Sequence, residues 1–213
     1  MGLFKKDKKR RTVVDIEKIL GKTEEIKKTT KMHEHTLLKY LKKLENKKIL
    51  SSKKEGNLKI FEINTKNPLT RILFAYFDIL RLNDLEYKRR RVIEEFLSRI
   101  KEIKLPYFIL LFGSTSKETY RNTSDIDLII IYDNYDNIKN KIEIIRKDLY
   151  AETNFKINFI LMKLEEFMKE KNNKKNYALQ DALQTGYPIL GNNLFYEAVL
   201  WKNGNLGLLM KTY

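Results

Sequence analysis

Two short apolar runs, Tyr107 to Phe112 and Ile126 to Tyr132, constrain the fold of this chain more than any other feature. Both are aromatic and aliphatic without polar alternation, so each reads as a strand buried on both faces in the middle of a sheet. The stretch between them is polar throughout, Gly113-Ser-Thr-Ser-Lys-Glu-Thr-Tyr-Arg-Asn-Thr-Ser-Asp125, and ends in Asp125-Ile-Asp127. A buried strand that runs into Gly113 can turn sharply and let the backbone approach a ligand that a Cβ would obstruct. Ser114 then offers a hydroxyl and a free amide near the start of a short helix, where an anionic phosphate is stabilised. Asp125 and Asp127 open the second strand two residues apart, which places both on one sheet face, about 6 to 7 Å apart at the backbone. Carboxylates so placed repel unless a cation lies between them, and hard oxygen donors suit magnesium together with substrate phosphates.

This ensemble resembles the nucleotidyltransferase superfamily typified by DNA polymerase beta, and within it the small prokaryotic minimal nucleotidyltransferases. Their signature is Gly-Ser, about ten residues, then Asp-x-Asp or Asp-x-Glu; Gly113, Ser114, Asp125 and Asp127 fill all four places. The setting Ser124-Asp-Ile-Asp-Leu128 is similar too, as is the closing Gly186-Tyr-Pro-Ile-Leu-Gly191, so the likeness covers roughly residues 105 to 195. The resemblance implies Asp125 and Asp127 as catalytic residues and Mg2+ ligands, and Gly113, Ser114 and Ser124 as nucleotide-binding residues. It further implies ATP or another NTP as substrate, with a nucleoside monophosphate passed to an acceptor hydroxyl on a tRNA end, a protein side chain or a small molecule. Active members add a third carboxylate on a later strand, which completes a two-metal clamp. The matching strand here, Lys156-Ile-Asn-Phe-Ile-Leu-Met162, carries Asn158 at that place. Asparagine cannot act as a general base and leaves the site one negative charge short; Glu152, reaching in from the preceding loop, is a candidate substitute.

The first third of the chain has a different character. Residues 1 to 66 hold 20 Lys and Arg against 9 Asp and Glu, a net +11 that leaves +4 for the other 147 residues. Thr12 begins a short helix that Gly21 stops, and Thr23 caps a second. A third, about His33 to Asn46, sets Leu37, Leu41 and Leu44 on one stripe with Lys39, Lys42 and Lys43 off it. Ile49 to Ser52 and Leu58 to Ile63 read as two strands around the turn-rich Lys53 to Asn57. Three helices and a basic hairpin make a winged helix. In that fold the third helix enters the major groove and the wing lies on phosphates, which makes His33, His35, Thr36, Lys39, Lys53 and Lys54 the candidate DNA-binding residues. A domain for protein contacts, or a basic surface serving solubility alone, is the competing reading.

Asn67-Pro68 ends this unit. Helical spacing of Ile72, Leu73, Tyr76, Phe77 and Leu80, then Val92, Phe96 and Ile100, gives one broken helix or two packed ones, with Lys88 to Arg91 as a solvated face and a nucleic-acid or nucleotide contact as the competing reading. Ile138 to Leu149 reads as a covering helix, Phe155 to Met162 as a third strand, Ala178 to Thr185 as a helix, and Phe195, Tyr196 and Trp201 as part of a terminal helix on the core. The expected fold class is therefore α+β: a winged helix-turn-helix over 1–66, a helical linker over 67–104 packing on the second domain, and a nucleotidyltransferase fold over 105–213 with a small mixed sheet flanked by helices. Without cysteine, neither a disulfide framework nor a thiolate zinc site is available. No apolar run reaches the roughly 18 residues of a membrane span, so the expected location is the cytoplasm. The expected partners are DNA through 1–66, a nucleotide, and a second copy in a homodimer. Two further functions fit the same residues: a DNA-binding regulator whose catalytic domain is weakened by Asn158, and an antitoxin paired with a small helical toxin, as some minimal nucleotidyltransferases are.

Overall fold

The computed structural model describes residues 31–56 and 58–200. The helices expected over about 12–21 and 23–30, and Trp201, lie outside those residues.

The described part opens with α1 (Glu34–Asn46), β1 (Leu50–Glu55) and β2 (Leu58–Ile63). Leu37 and Leu41 are the buried positions of α1, and with Leu50 and Phe61 of the hairpin they form a small separate core. Glu45 ties helix to hairpin, accepting from the Ser52 hydroxyl and, at 2.8 Å, from Lys59. The five-residue loop expected at Lys53 to Asn57 is much shorter: β1 continues through Lys53 and Lys54, which pair with Ile60 and Lys59 in antiparallel register, leaving Gly56 at φ +62° to make the turn.

Two helices follow, α2 (Pro68–Asn83) and α3 (Tyr87–Ile103). Asn67 caps α2 by accepting the Leu69 N–H at 3.0 Å, with Pro68 in the first turn. Then come β3 (Phe108–Phe112), α4 (Gly113–Lys117), β4 (Ile126–Tyr132), α5 (Lys139–Thr153), β5 (Ile157–Lys163), α6 (Leu164–Glu170), α7 (Tyr177–Thr185), β6 (Tyr187–Leu190) and α8 (Asn192–Leu200). The four long-range strands form one mixed sheet in the order β5-β4-β3-β6. β4 pairs parallel with β5, and β3 pairs antiparallel with β4 and β6.

Period-two alternation divides β4 between two cores. Ile126, Leu128, Ile130 and Tyr132 meet α3 and α5 on one face. Ile129 and Ile131 meet α6, α7 and α8 on the other, among Phe108, Phe167, Phe195 and Tyr196. Burial on both sides explains why β3 and β4 lack polar alternation. Odd-numbered residues of β4 thus share the face with α6 to α8, and that face is where Asp127 belongs.

The expectation that Lys88 to Arg91 form a solvated face is overturned at one position: Arg89 is completely buried. It lies three and four residues before Val92 and Ile93, on the inward stripe of α3. On α2 the apolar residues do not all turn inward either. Ile72 and Tyr76 are exposed, whereas Thr70 and Asp78 are buried. Asp78 accepts from the Tyr196 hydroxyl at 2.5 Å and from Asn192 Nδ2 at 3.3 Å, both on α8, so the helix is oriented by a polar contact.

Candidate functional site

The polar stretch between β3 and β4 folds into one corner. Gly113 has φ +69°, and a Cβ added there would land on Asp127 Oδ2 and stand 3.3 Å from Asp127 Cγ. Glycine is therefore required twice, by the left-handed backbone and by the close approach of the carboxylate. The antiparallel register that pairs Phe112 with Asp127 brings these residues together. Ser114 is the second residue of the short helix α4, whose Ser116 and Thr115 are buried.

Asp125 and Asp127 project from one face, as the spacing predicts. Asn158 Nδ2 donates to both, to Asp125 Oδ2 at 2.9 Å and to Asp127 Oδ1 at 3.1 Å. This amide orientation is the only one that suits two carboxylates, since the amide oxygen has nothing to offer them. Parallel pairing of Asp127 with Asn158 sets the position, so Asn158 faces the acid pair. Lys156, two residues earlier on the same face, donates to Asp125 Oδ2 at 3.0 Å. Burial pushes the Asp125 pKa up, but the hydrogen bonds from Lys156 and Asn158 outweigh it, and the carboxyl is held below its ordinary value with help from the Lys156 and Arg89 charges.

Beneath the corner, the Arg89 guanidinium braces both sides of it. Nη1 donates to Thr115 Oγ1 at 3.0 Å and to the Ser124 carbonyl at 2.9 Å, and Nη2 to the Arg121 carbonyl at 3.1 Å. Its Cζ lies 4.3 Å from the Tyr120 ring centroid and 5.1 Å from that of Phe155. Burial lowers its pKa, opposed by Tyr120, Glu86 and the two aspartates. Arg89 thereby fixes the helix that carries Ser114 against the strand that carries Asp125. Ser124 closes the same loop, its hydroxyl accepting the Arg121 N–H at 2.9 Å.

Glu152 does not supply a third carboxylate. It sits on α5, and both its oxygens accept from Arg99, at 3.1 and 2.7 Å. Among the described residues no group of three or more His, Asp or Glu converges anywhere. The donor set at the corner, two carboxylates and an amide whose oxygen becomes available if it turns over, is hard and oxygen-based, which fits magnesium and does not fit a soft metal.

The other candidates stand apart, on the helix and hairpin of residues 34–63 and at His33, which precedes them. His33, His35, Thr36, Lys39, Lys53 and Lys54 are all exposed. Lys53 is paired with Glu62 at 2.7 Å.

Residues 90–182 match the family model described as nucleotidyltransferase domain, a stretch running from within α3 through the corner to α7. The match, over less than half of the chain, supports a nucleotidyltransferase domain in this part of it and a general role in nucleotidyl transfer. A comparison with curated proteins gives no match. Among solved structures, a crystal structure of a toxin-antitoxin with AMP-PNP aligns at 19% identity over 57% of this chain and 89% of its own, with a TM-score of 0.35, below the level at which a shared fold follows. No helix among the described residues is long and apolar enough to cross a membrane.

Proposed function

We propose that the corner is a magnesium-dependent nucleotidyltransferase site, which binds a nucleoside triphosphate such as ATP and passes its monophosphate to an acceptor hydroxyl. The observation that carries this reading is the meeting of Gly113 with Asp127, because it brings a phosphate-compatible bend against a pair of acids. Ser114 and the amides at the start of α4 hold phosphate oxygens, and Ser124 keeps the loop between them closed. Asp125 and Asp127 hold Mg2+, which when bound supplies charge neutralisation at the α-phosphate. Arg89 keeps both halves at a fixed separation, so the acids need no rearrangement as nucleotide enters. The basic helix and hairpin of residues 34–63 bring the domain to DNA through the exposed His35, Thr36, Lys39 and Lys54.

Asn158 favours a second reading at the same site: a DNA-binding regulator that binds nucleotide and turns over slowly. An amide donor at the third position offers no base to the acceptor hydroxyl. Incubation with Mg2+ and α-labelled ATP separates the two. Label transferred to protein, nucleic acid or a small acceptor, and lost in Asp125→Asn and Asp127→Asn, supports the transferase. Nucleotide retained without transfer supports the regulator, and no retention in either form refutes both.

A further inference from the structure

The face that carries the acid pair holds two more polar side chains, and the reading above leaves one of them, Lys156, without a task. We propose that Lys156 is a resident second cation: the site takes up one divalent ion with each nucleoside triphosphate, and the Lys156 ammonium with the Asn158 amide replaces the second. This inference rests on the nucleotide-binding reading and specifies how that site is charged.

The register dictates the arrangement. Parallel pairing aligns Ile126 with Ile157 and Asp127 with Asn158, and the Ile126 N–H donates to the Lys156 carbonyl at 2.9 Å. Lys156 and Asn158 therefore alternate onto the same face as Asp125 and Asp127. Both donate to one oxygen, Asp125 Oδ2, at 3.0 and 2.9 Å, and Asn158 reaches across to Asp127 Oδ1. The amide nitrogen thus bonds to both carboxylates and the ammonium to one of them. Asp127 Oδ2 points the other way, against Gly113 and the phosphate-binding bend.

Charge balance leads to the same conclusion. Three carboxylates with two divalent ions carry one net positive charge, which offsets the developing charge of a two-metal transfer. Two carboxylates with one divalent ion and one ammonium carry the same. The Lys156 side chain is 54% exposed, so its ammonium can also reach a phosphate oxygen as a point charge. A competing role, neutralising Asp125 and nothing more, also predicts tighter binding of the divalent ion in Lys156→Gln but leaves wild type with two ions, so the ion count separates the two.

Counting Mn2+ by electron paramagnetic resonance, on the full chain with an α,β-methylene analogue of ATP, tests this. Wild type is expected to take up one Mn2+ per chain and Asn158→Asp two. Lys156→Gln is expected to tighten Mn2+ binding roughly fivefold before nucleotide is added, the size of one screened ion pair. Two ions in wild type, or unchanged Mn2+ affinity in Lys156→Gln, overturns the inference while leaving the nucleotide site intact. The wild-type count decides the matter even if Asn158→Asp fails to fold. No Mn2+-dependent uptake of the analogue overturns the proposed function itself.

Discussion

The helix and hairpin of residues 34–63 and the sheet of residues 108–190 both place polar side chains at the ends of apolar elements, but they support them differently. The first unit rests on four buried residues, Leu37, Leu41, Leu50 and Phe61, and its basic side chains are exposed, with Lys53 and Lys59 in surface ion pairs. The second clamps Asp125, Asp127 and Asn158 to strands packed on both faces, with buried Arg89 locking the connecting loop. A surface of the first kind acts by summed charge and tolerates loss of one member. A corner of the second kind, read as a nucleotide site, depends on ångström-scale placement, so displacing one side chain is expected to cost most of its binding.

Substitutions can break or sharpen that contrast. Gly113→Ala should have the largest effect, because its Cβ evicts the Asp127 carboxylate: magnesium-dependent ATP affinity is expected to fall roughly 100-fold, measured by calorimetry, with a stability cost of only about 1 to 2 kcal/mol. Arg89→Met should cost about 3 kcal/mol of stability by urea unfolding, since it leaves the Arg121 and Ser124 carbonyls and the Thr115 hydroxyl without their charged donor.

Asp78 allows a test by pH away from the corner. Burial raises its pKa from 3.8 to about 7, opposed by Tyr196, Arg81 and Asn192. A carboxyl that stays protonated in the fold but ionises when unfolded stabilises fully below about pH 4, and this contribution is lost as pH rises towards 7. Asp78→Asn, which keeps an acceptor for Tyr196, should flatten the fall in melting temperature across that window and add on the order of 2 kcal/mol above it. Smallest are the lysines of the basic unit: Lys39→Gln and Lys54→Gln should each weaken DNA binding only a few-fold and reduce its salt slope by about 1. A hundredfold loss from either would show that the unit is as tightly constrained as the corner.

The contrast also governs what could be read from the chain. Gly113, Ser114, Asp125, Asp127 and the odd residue Asn158 were legible because strand alternation and a bend are local properties, and local pattern fixes them. Arg89 was hidden by its neighbours Lys88, Arg90 and Arg91, which make a basic run look solvated; its helical offset from Val92, Ile93 and Phe96 was the available signal. Lys156 was visible in the same way, two residues before Asn158, once the parallel register is known. The inward turn of Asp78 was not legible, because its partners lie 114 and 118 residues away on α8. β6 was missed as well: it is four residues long and contains Pro188, which suits an edge strand and weakens any strand pattern.

The most direct test of the acid pair and glycine bend as one nucleotide site is calorimetric titration of ATP into the full chain, with magnesium and again with a chelator. Saturable binding that requires magnesium and vanishes in Asp125→Asn and Asp127→Asn is the predicted result. Binding of equal strength with the chelator, or unaltered in both variants, would contradict it.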